Sequence, residues 1–168
     1  GIIGYSNELN NEDFNIKQIK NNINDFIGLE AFNKDNWFSF KDLLIHDNKI
    51  FVSYTEEMKK DCWNTGVIVG KVNFENIEFE KFFSPNNCNI GLEHENFSQE
   101  SVDGEFNALQ SGGKMFSFDD NHILLSTGEY RTRSNAQNEK SINGKILKIN
   151  INNSNVEIIS MGHRNPQG

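Results

Sequence analysis

Two stretches of this chain repeat one another at a fixed distance, and that repeat limits the fold more than any other feature. Asp47-Asn48-Lys49-Ile50-Phe51-Val52-Ser53 lines up with Asp120-Asn121-His122-Ile123-Leu124-Leu125-Ser126, 73 residues further on. Lys71-Val72-Asn73-Phe74 lines up with Lys148-Ile149-Asn150-Ile151, and Phe79-Glu80 with Val156-Glu157, both 77 residues further on. The extra four residues fall in the polar stretch Arg131–Lys140, where a loop tolerates insertion. Within each unit the hydrophobic pattern has a period of two. Asp42–Ile45 and Lys49–Thr55 read as strands joined by a tight Asp47-Asn48 hairpin, followed by strands over Gly66–Asn73 and Ile77–Phe83. Lys114–Phe118, His122–Thr127, the stretch around Lys148–Ile151 and Val156–Met161 repeat that order. Two tandem four-stranded meanders are the signature of β-propeller blades, and two meanders facing one another in a sandwich share the pattern.

The composition agrees with an all-β chain. Phe alone numbers 14, and Asn makes up about one residue in six. Aromatic residues fit half-buried sheet surfaces, and Asn favours turns over helix interiors. With 168 residues the chain is long enough for one domain with a real core. We read it as a single incomplete propeller domain over residues 1–168, with blade-like units at about 41–84 and 113–161. Residues 84–111 read as loop. In the first 36 residues, Ile16, Ile19, Ile23 and Phe26 fit a short amphipathic helix, while a strand through Ile16–Ile19 with a turn at Asn21–Asn24 fits equally well.

The net charge of −8 and the absence of a basic run argue against a nucleic-acid surface. No apolar stretch approaches a membrane span, and the first residues show neither the charged start nor the apolar run of a signal peptide. Cys62 and Cys88 are too far apart for a CxxC site. They read either as a disulfide in an oxidising compartment or as two independent thiols. In a meander the two points can be neighbours at one edge. The acidic stretch Glu93–Glu105 lacks the spacing of a calcium loop and reads as solvated.

The chemistry-bearing residues gather in the second unit. Its last strand runs into Gly162-His163-Arg164-Asn165-Pro166-Gln167-Gly168. Pro166 removes a backbone donor and biases Asn165 to an extended conformation, while Arg164 offers a planar fork suited to a carboxylate or a quinone oxygen. This string closely resembles the GHRNPQG signature of the soluble quinoprotein glucose/sorbosone (aldose sugar) dehydrogenases. Upstream, Gln110-Ser111-Gly112-Gly113-Lys114-Met115 resembles that family's His-x-x-Gly-Arg-Leu segment, and Ser126-Thr127-Gly128-Glu129 its Thr-Gly-Asp turn. Asn135-Ala136-Gln137, Ser141 and Gly144-Lys145-Ile146-Leu147-Lys148-Ile149 resemble a further stretch in the same order.

The resemblance covers about residues 40–168 and implies part of a six-bladed β-propeller of about two blades plus an N-terminal partial unit. It implies a protein that oxidises a sugar or polyol by hydride transfer to pyrroloquinoline quinone (PQQ), with calcium as a further cofactor whose ligands lie downstream of this chain. Two blades cannot close a ring, and the sequence stops inside a rim motif. The chain therefore reads as a piece of a longer periplasmic or secreted protein. The rest of the propeller, or another chain, would cover the open blade faces.

By the same resemblance Arg164 and Asn165 approach the cofactor, and Glu129 stands in the place of the turn aspartate. The family's catalytic base is a histidine. Here that position holds Gln110, or Leu109 in a shifted alignment, and glutamine cannot take up a proton at neutral pH. Among the histidines, His94 in the long loop is the reserve candidate for the catalytic base. His46 and His122 fall in turns, and His163 reads as a structural residue of the rim. The competing function is a non-catalytic propeller module that binds without turnover.

Overall fold

The computed structural model describes residues 2–6, 15–26, 38–98 and 106–168. Part of the first 36 residues and the stretch 99–105 of the acidic loop lie outside them. The alternating pattern from residue 40 becomes two antiparallel meanders. The first consists of β3 (Phe40–His46), β4 (Lys49–Lys59), β5 (Cys62–Lys71) and β7 (Phe79–Phe83). The second runs β9 (Gly112–Asp119), β10 (His122–Thr127), β11 (Lys145–Asn150) and β12 (Val156–Met161) in that spatial order. A small third sheet joins β1 (Ile3–Tyr5), β2 (Lys17–Asn21) and β6 (Asn76–Ile77), the last parallel to β2.

Local sequence explains the hairpins. Asp47 and Asn48 take φ of 48° and 56°, the left-handed pair whose twist matches that of the flanking strands. Of the two readings of residues 16–26, the strand is observed, followed by a 3-10 turn at Ile23–Phe26.

Three elements differ from the pattern read off the sequence. The β4–β5 hairpin is longer: β4 continues to Lys59 and β5 starts at Cys62, so Cys62 lies in a strand rather than between strands. The stretch after residue 84 contains β8 (Asn89–Ile90), which pairs with the start of β5 and makes the first sheet five-stranded. The insertion loop of the second unit contains a five-residue helix, α1 (Arg133–Gln137). Polar residues dominate all three stretches, so no apolar periodicity marks them. Tertiary contacts hold them instead. A Cys62–Cys88 disulfide with Cα atoms 5.3 Å apart clips β8 to β5.

The two meanders pack face to face. Phe51, Val67 and Phe83 of the first meet Met115, Ile123, Leu125, Leu147 and Ile149 of the second. On the other face of the first sheet, Ile50, Val52, Tyr54 and Ile68 pack against Ile19 and Ile23 of the N-terminal unit. The repeat is kept in the facing: Ile50 and its counterpart Ile123 both look back toward the preceding unit. The sheets are tied along β3 and β9. Asp42 accepts bonds from the Met115 amide (2.8 Å) and the Lys114 ammonium (3.1 Å), and the Ser53 hydroxyl donates to the Gly113 carbonyl.

Candidate functional site

The site grows from three segments at one end of the second sheet: the entry to β9, the exit of β10 and the chain after β12. Gly128 follows β10 and lies so close to the entry segment that a Cβ there would sit 1.9 Å from the Gln110 carbonyl oxygen. Only glycine allows this approach. The Gly128 amide donates to the Ser111 carbonyl (2.8 Å) and the Tyr130 amide to that of Gln110 (3.2 Å).

The rim segment lies across both. The Glu129 amide donates to the Arg164 carbonyl (3.0 Å), and the Gly112 amide to Asn165 Oδ1 (3.0 Å). The Ser126 hydroxyl donates to the Pro166 carbonyl (2.7 Å). Gln110, Glu129, Arg164 and Asn165, which are separated by up to 55 residues, are thereby brought to one place.

The side chains are unequal in exposure. Glu129 is 1% exposed, and the Arg131 amide is the donor nearest its carboxylate. The Arg164 Nε stands 3.9 Å from it, beyond hydrogen-bond range, and Arg164 itself is 59% exposed. Burial pushes the Glu129 carboxyl above its usual range, although the Arg131 amide and the Arg164, Arg133 and Arg131 charges pull the other way. Gln110 Oε1 is also buried without a partner, and the Ser111 hydroxyl is buried beside that of Tyr130. Buried polar atoms are nearly always paired in native proteins. Among the described residues, Gln110 Oε1 and the Glu129 carboxylate thus have few donors close by. Tyr130 and Arg131, directly after Glu129, hold left-handed φ values of 54° and 71°, a strain that collects at functional sites.

Several supporting residues carry no sequence signal of their own. Tyr130 is buried, stacks near Phe106 and bonds Thr65 through its hydroxyl (2.9 Å), which joins the site loop to β5. Asn143 bonds both Asn64 Oδ1 (3.0 Å) and the Gly128 carbonyl (3.2 Å). Lys145 is fully buried, and its ammonium donates to the carbonyls of Asn135, Ala136 and Asn143 at 2.7 to 3.0 Å. Lys145 thus closes the loop that begins at Glu129. In the sequence it stands out only as part of a motif.

Three of the four histidines lie outside these segments, and the fourth, His163, is in the rim segment next to Arg164. His94 caps a turn beside the β4–β5 hairpin, with Nδ1 accepting from the Asn96 amide, and shares no hydrogen bond with Gln110, Glu129, Arg164 or Asn165. His46 meets Ser117, and His122 meets Asp119 and Asn150. His163 is held by the Gly144 carbonyl through its amide and by Ser160 through its ring. Among the described residues, no three of His, Cys, Asp and Glu come together to hold a metal ion. No described helix is long and apolar enough to cross a membrane.

Residues 42–168 match the family profile described as glucose/sorbosone dehydrogenase. Similar solved structures include a glucose dehydrogenase (TM-score 0.60, 18% identity, 79% of this chain and 43% of that one). The soluble aldose sugar dehydrogenase from Escherichia coli in its apo form is another (0.56, 20%, 79% and 40%). A third is an oxidoreductase from Thermus thermophilus described as glucose dehydrogenase (0.55, 21%, 78% and 40%). At these identities the likeness is one of fold, and the chain spans about 40% of their length. No curated protein matches significantly.

Proposed function

Because this chain belongs to the glucose/sorbosone dehydrogenase family, we propose that it supplies part of the site of a PQQ-dependent dehydrogenase of a sugar or polyol. The supporting observation is the meeting of Gln110, Glu129, Arg164 and Asn165 at one end of the second sheet, with the Glu129 carboxyl buried among them. The donor set suits an anionic quinone. Arg164 presents an exposed fork to solvent, and planar forks bind carboxylate and quinone oxygens well. Glu129 has the wrong sign for an anion, and the charges of Arg164, Arg133 and Arg131 around it offset that sign.

When bound, the quinone supplies the two-electron acceptor. The protein must then orient the alcohol and take its proton. Gln110 holds the position of the family's histidine and has no atom that accepts a proton near neutral pH. Of the four residues only Glu129 can do so, and its shift is toward the working range of a general base. The Cys62–Cys88 disulfide supports a periplasmic or secreted setting, since such bonds persist in oxidising compartments. Calcium enters the proposal as a cofactor held outside the residues described.

A second reading, a propeller that binds quinone or sugar without turnover, is favoured by one observation: the glutamine at position 110. Full-length protein given PQQ and calcium, assayed by dye reduction with aldoses, separates the two. If only the base is missing, Gln110→His raises the rate by about two powers of ten or more. Glu129→Gln then removes the residual wild-type rate, and His94→Gln leaves it unchanged. No gain from Gln110→His, with quinone binding confirmed, selects the binding module.

A further inference from the structure

The strands along which the two sheets meet, β3 and β9, each carry an irregularity near their start. In β3, Phe40 pairs with Tyr54 and Asp42 with Ser53, leaving Lys41 as the extra residue. In β9, Met115 pairs with Leu125 and Gly112 with Thr127, so Gly113 and Lys114 share the space opposite Ser126. A bulge bends a strand and re-aims a side chain, and bulges are common beside active sites. Both irregularities bring a lysine to the same place. Lys41 and Lys114, with Phe40, Gly112 and Gln167, line a cavity of about 330 Å³.

The position of Lys41 is built into the backbone. Its stem lies across Gly113, where a Cβ would approach the Lys41 Cβ to 2.4 Å and Cγ to 2.6 Å. Burial pushes its ammonium below the usual lysine range. The ion pairs of the described residues give it no carboxylate partner. Lys114, by contrast, is paired with Asp42. Two cations against one carboxylate leave a net positive charge at the cavity, in a chain whose total is −8. Gly112, a wall of the cavity, also donates to Asn165 Oδ1, so the cavity adjoins the site described above.

We propose that Lys41, assisted by Lys114, anchors a carboxylate-binding subsite beside Arg164 and Asn165. The inference rests on the reading of that site as one for a quinone and a sugar. A half-buried ammonium without a partner is costly, and a charge-assisted bond to a carboxylate relieves the cost. Two ligands carry that group to this place. One is PQQ itself, a tricarboxylate. The other is an acidic sugar, in which case the subsite selects uronates over neutral aldoses.

The test uses the full-length protein as wild type, Lys41→Met, which keeps the stem and removes the charge, and Lys41→Arg, which restores it. Binding of PQQ is followed by absorbance, and binding of D-glucuronate and D-glucose by calorimetry without quinone. Lys41→Met is expected to weaken one carboxylate ligand about tenfold, the scale of one charge-assisted bond. Glucose binding stays as in wild type, and Lys41→Arg recovers most of the loss. Loss confined to PQQ assigns the subsite to the cofactor, and loss confined to glucuronate assigns it to the substrate. Wild-type affinity of Lys41→Met for both, or no binding of either ligand to wild type, overturns the subsite. Glucuronate binding that depends on Lys41 without any binding of PQQ overturns the quinone reading of the main site and leaves the subsite standing.

Discussion

Glu129 shows how one residue can carry both the strain and the chemistry of a site. Its carboxyl is buried, and burial raises its pKa above the ordinary 4.5 although the Arg131 amide pulls the other way. The folded state therefore holds this proton to higher pH than the unfolded chain does. Its contribution to stability is fully present below the unfolded value and is lost as pH rises through the folded one. Glu129→Gln should accordingly melt above wild type at pH 7, by ~2–4 °C, with the gap closing as pH falls toward 4. Thermal melts of the full-length protein across that range check it; a variant that melts below wild type at pH 7 would show that the carboxylate finds a partner there. At this scale the sequence marked Gln110, Glu129, Arg164 and Asn165 by motif. It could not mark Lys41 or Asn143, whose importance lies in a bulge and in a bond to Asn64.

At the scale of elements, the apolar strands were legible and the polar additions were not. Apolar patterning and turn residues identified the eight strands of the two meanders, although β4 and β5 are buried almost continuously and β12 is exposed along its length. β8 has two residues, Asn89 and Ile90, too few for any period. It exists because Cys88 is tied to Cys62 and because the Asn89 side-chain amide donates to the Trp63 carbonyl (3.2 Å). Residues 62 and 88 enclose a loop of 26 residues, for which a chain-entropy account gives a stabilisation of about 3–4 kcal/mol. Reduction, or replacement of both cysteines by serine, should lower Tm. It should also speed amide exchange at Asn89–Ile90 and in the neighbouring Cys62–Trp63 more than in β10 or β11. Uniform exchange across all these strands would mean that the bond does not hold β8 in place.

For the whole molecule, the deciding feature is that the first meander is covered on both faces and the second on one. Ile123 and Leu125 look back into the shared core, whereas Phe116 and Phe118 look the other way and are 52% and 54% exposed. Among the described residues, the Lys114 ammonium lies above Phe116 and the Lys148 ammonium above Phe118, at 5.7 and 5.8 Å. An uncovered aromatic sheet face drives association. The 168-residue chain expressed alone should self-associate with rising concentration in sedimentation experiments, and Phe118→Lys should reduce this without altering the far-UV spectrum. Concentration-independent sedimentation of the unmodified chain would contradict the reading.

The sequence alone determined the class of the fold and its repeat, because period-two burial and hairpin turns are local properties. It also determined the family, through residues whose types and order match a rim motif. Only the tertiary structure decided which groups meet. The Arg164 carbonyl reaches the Glu129 amide, Asn165 reaches Gly112, and β3 places Lys41 across Gly113, through contacts spanning 35 to 72 residues. Such contacts depend on how two sheets stack and where each strand slips by one residue, and neither leaves a period in the chain.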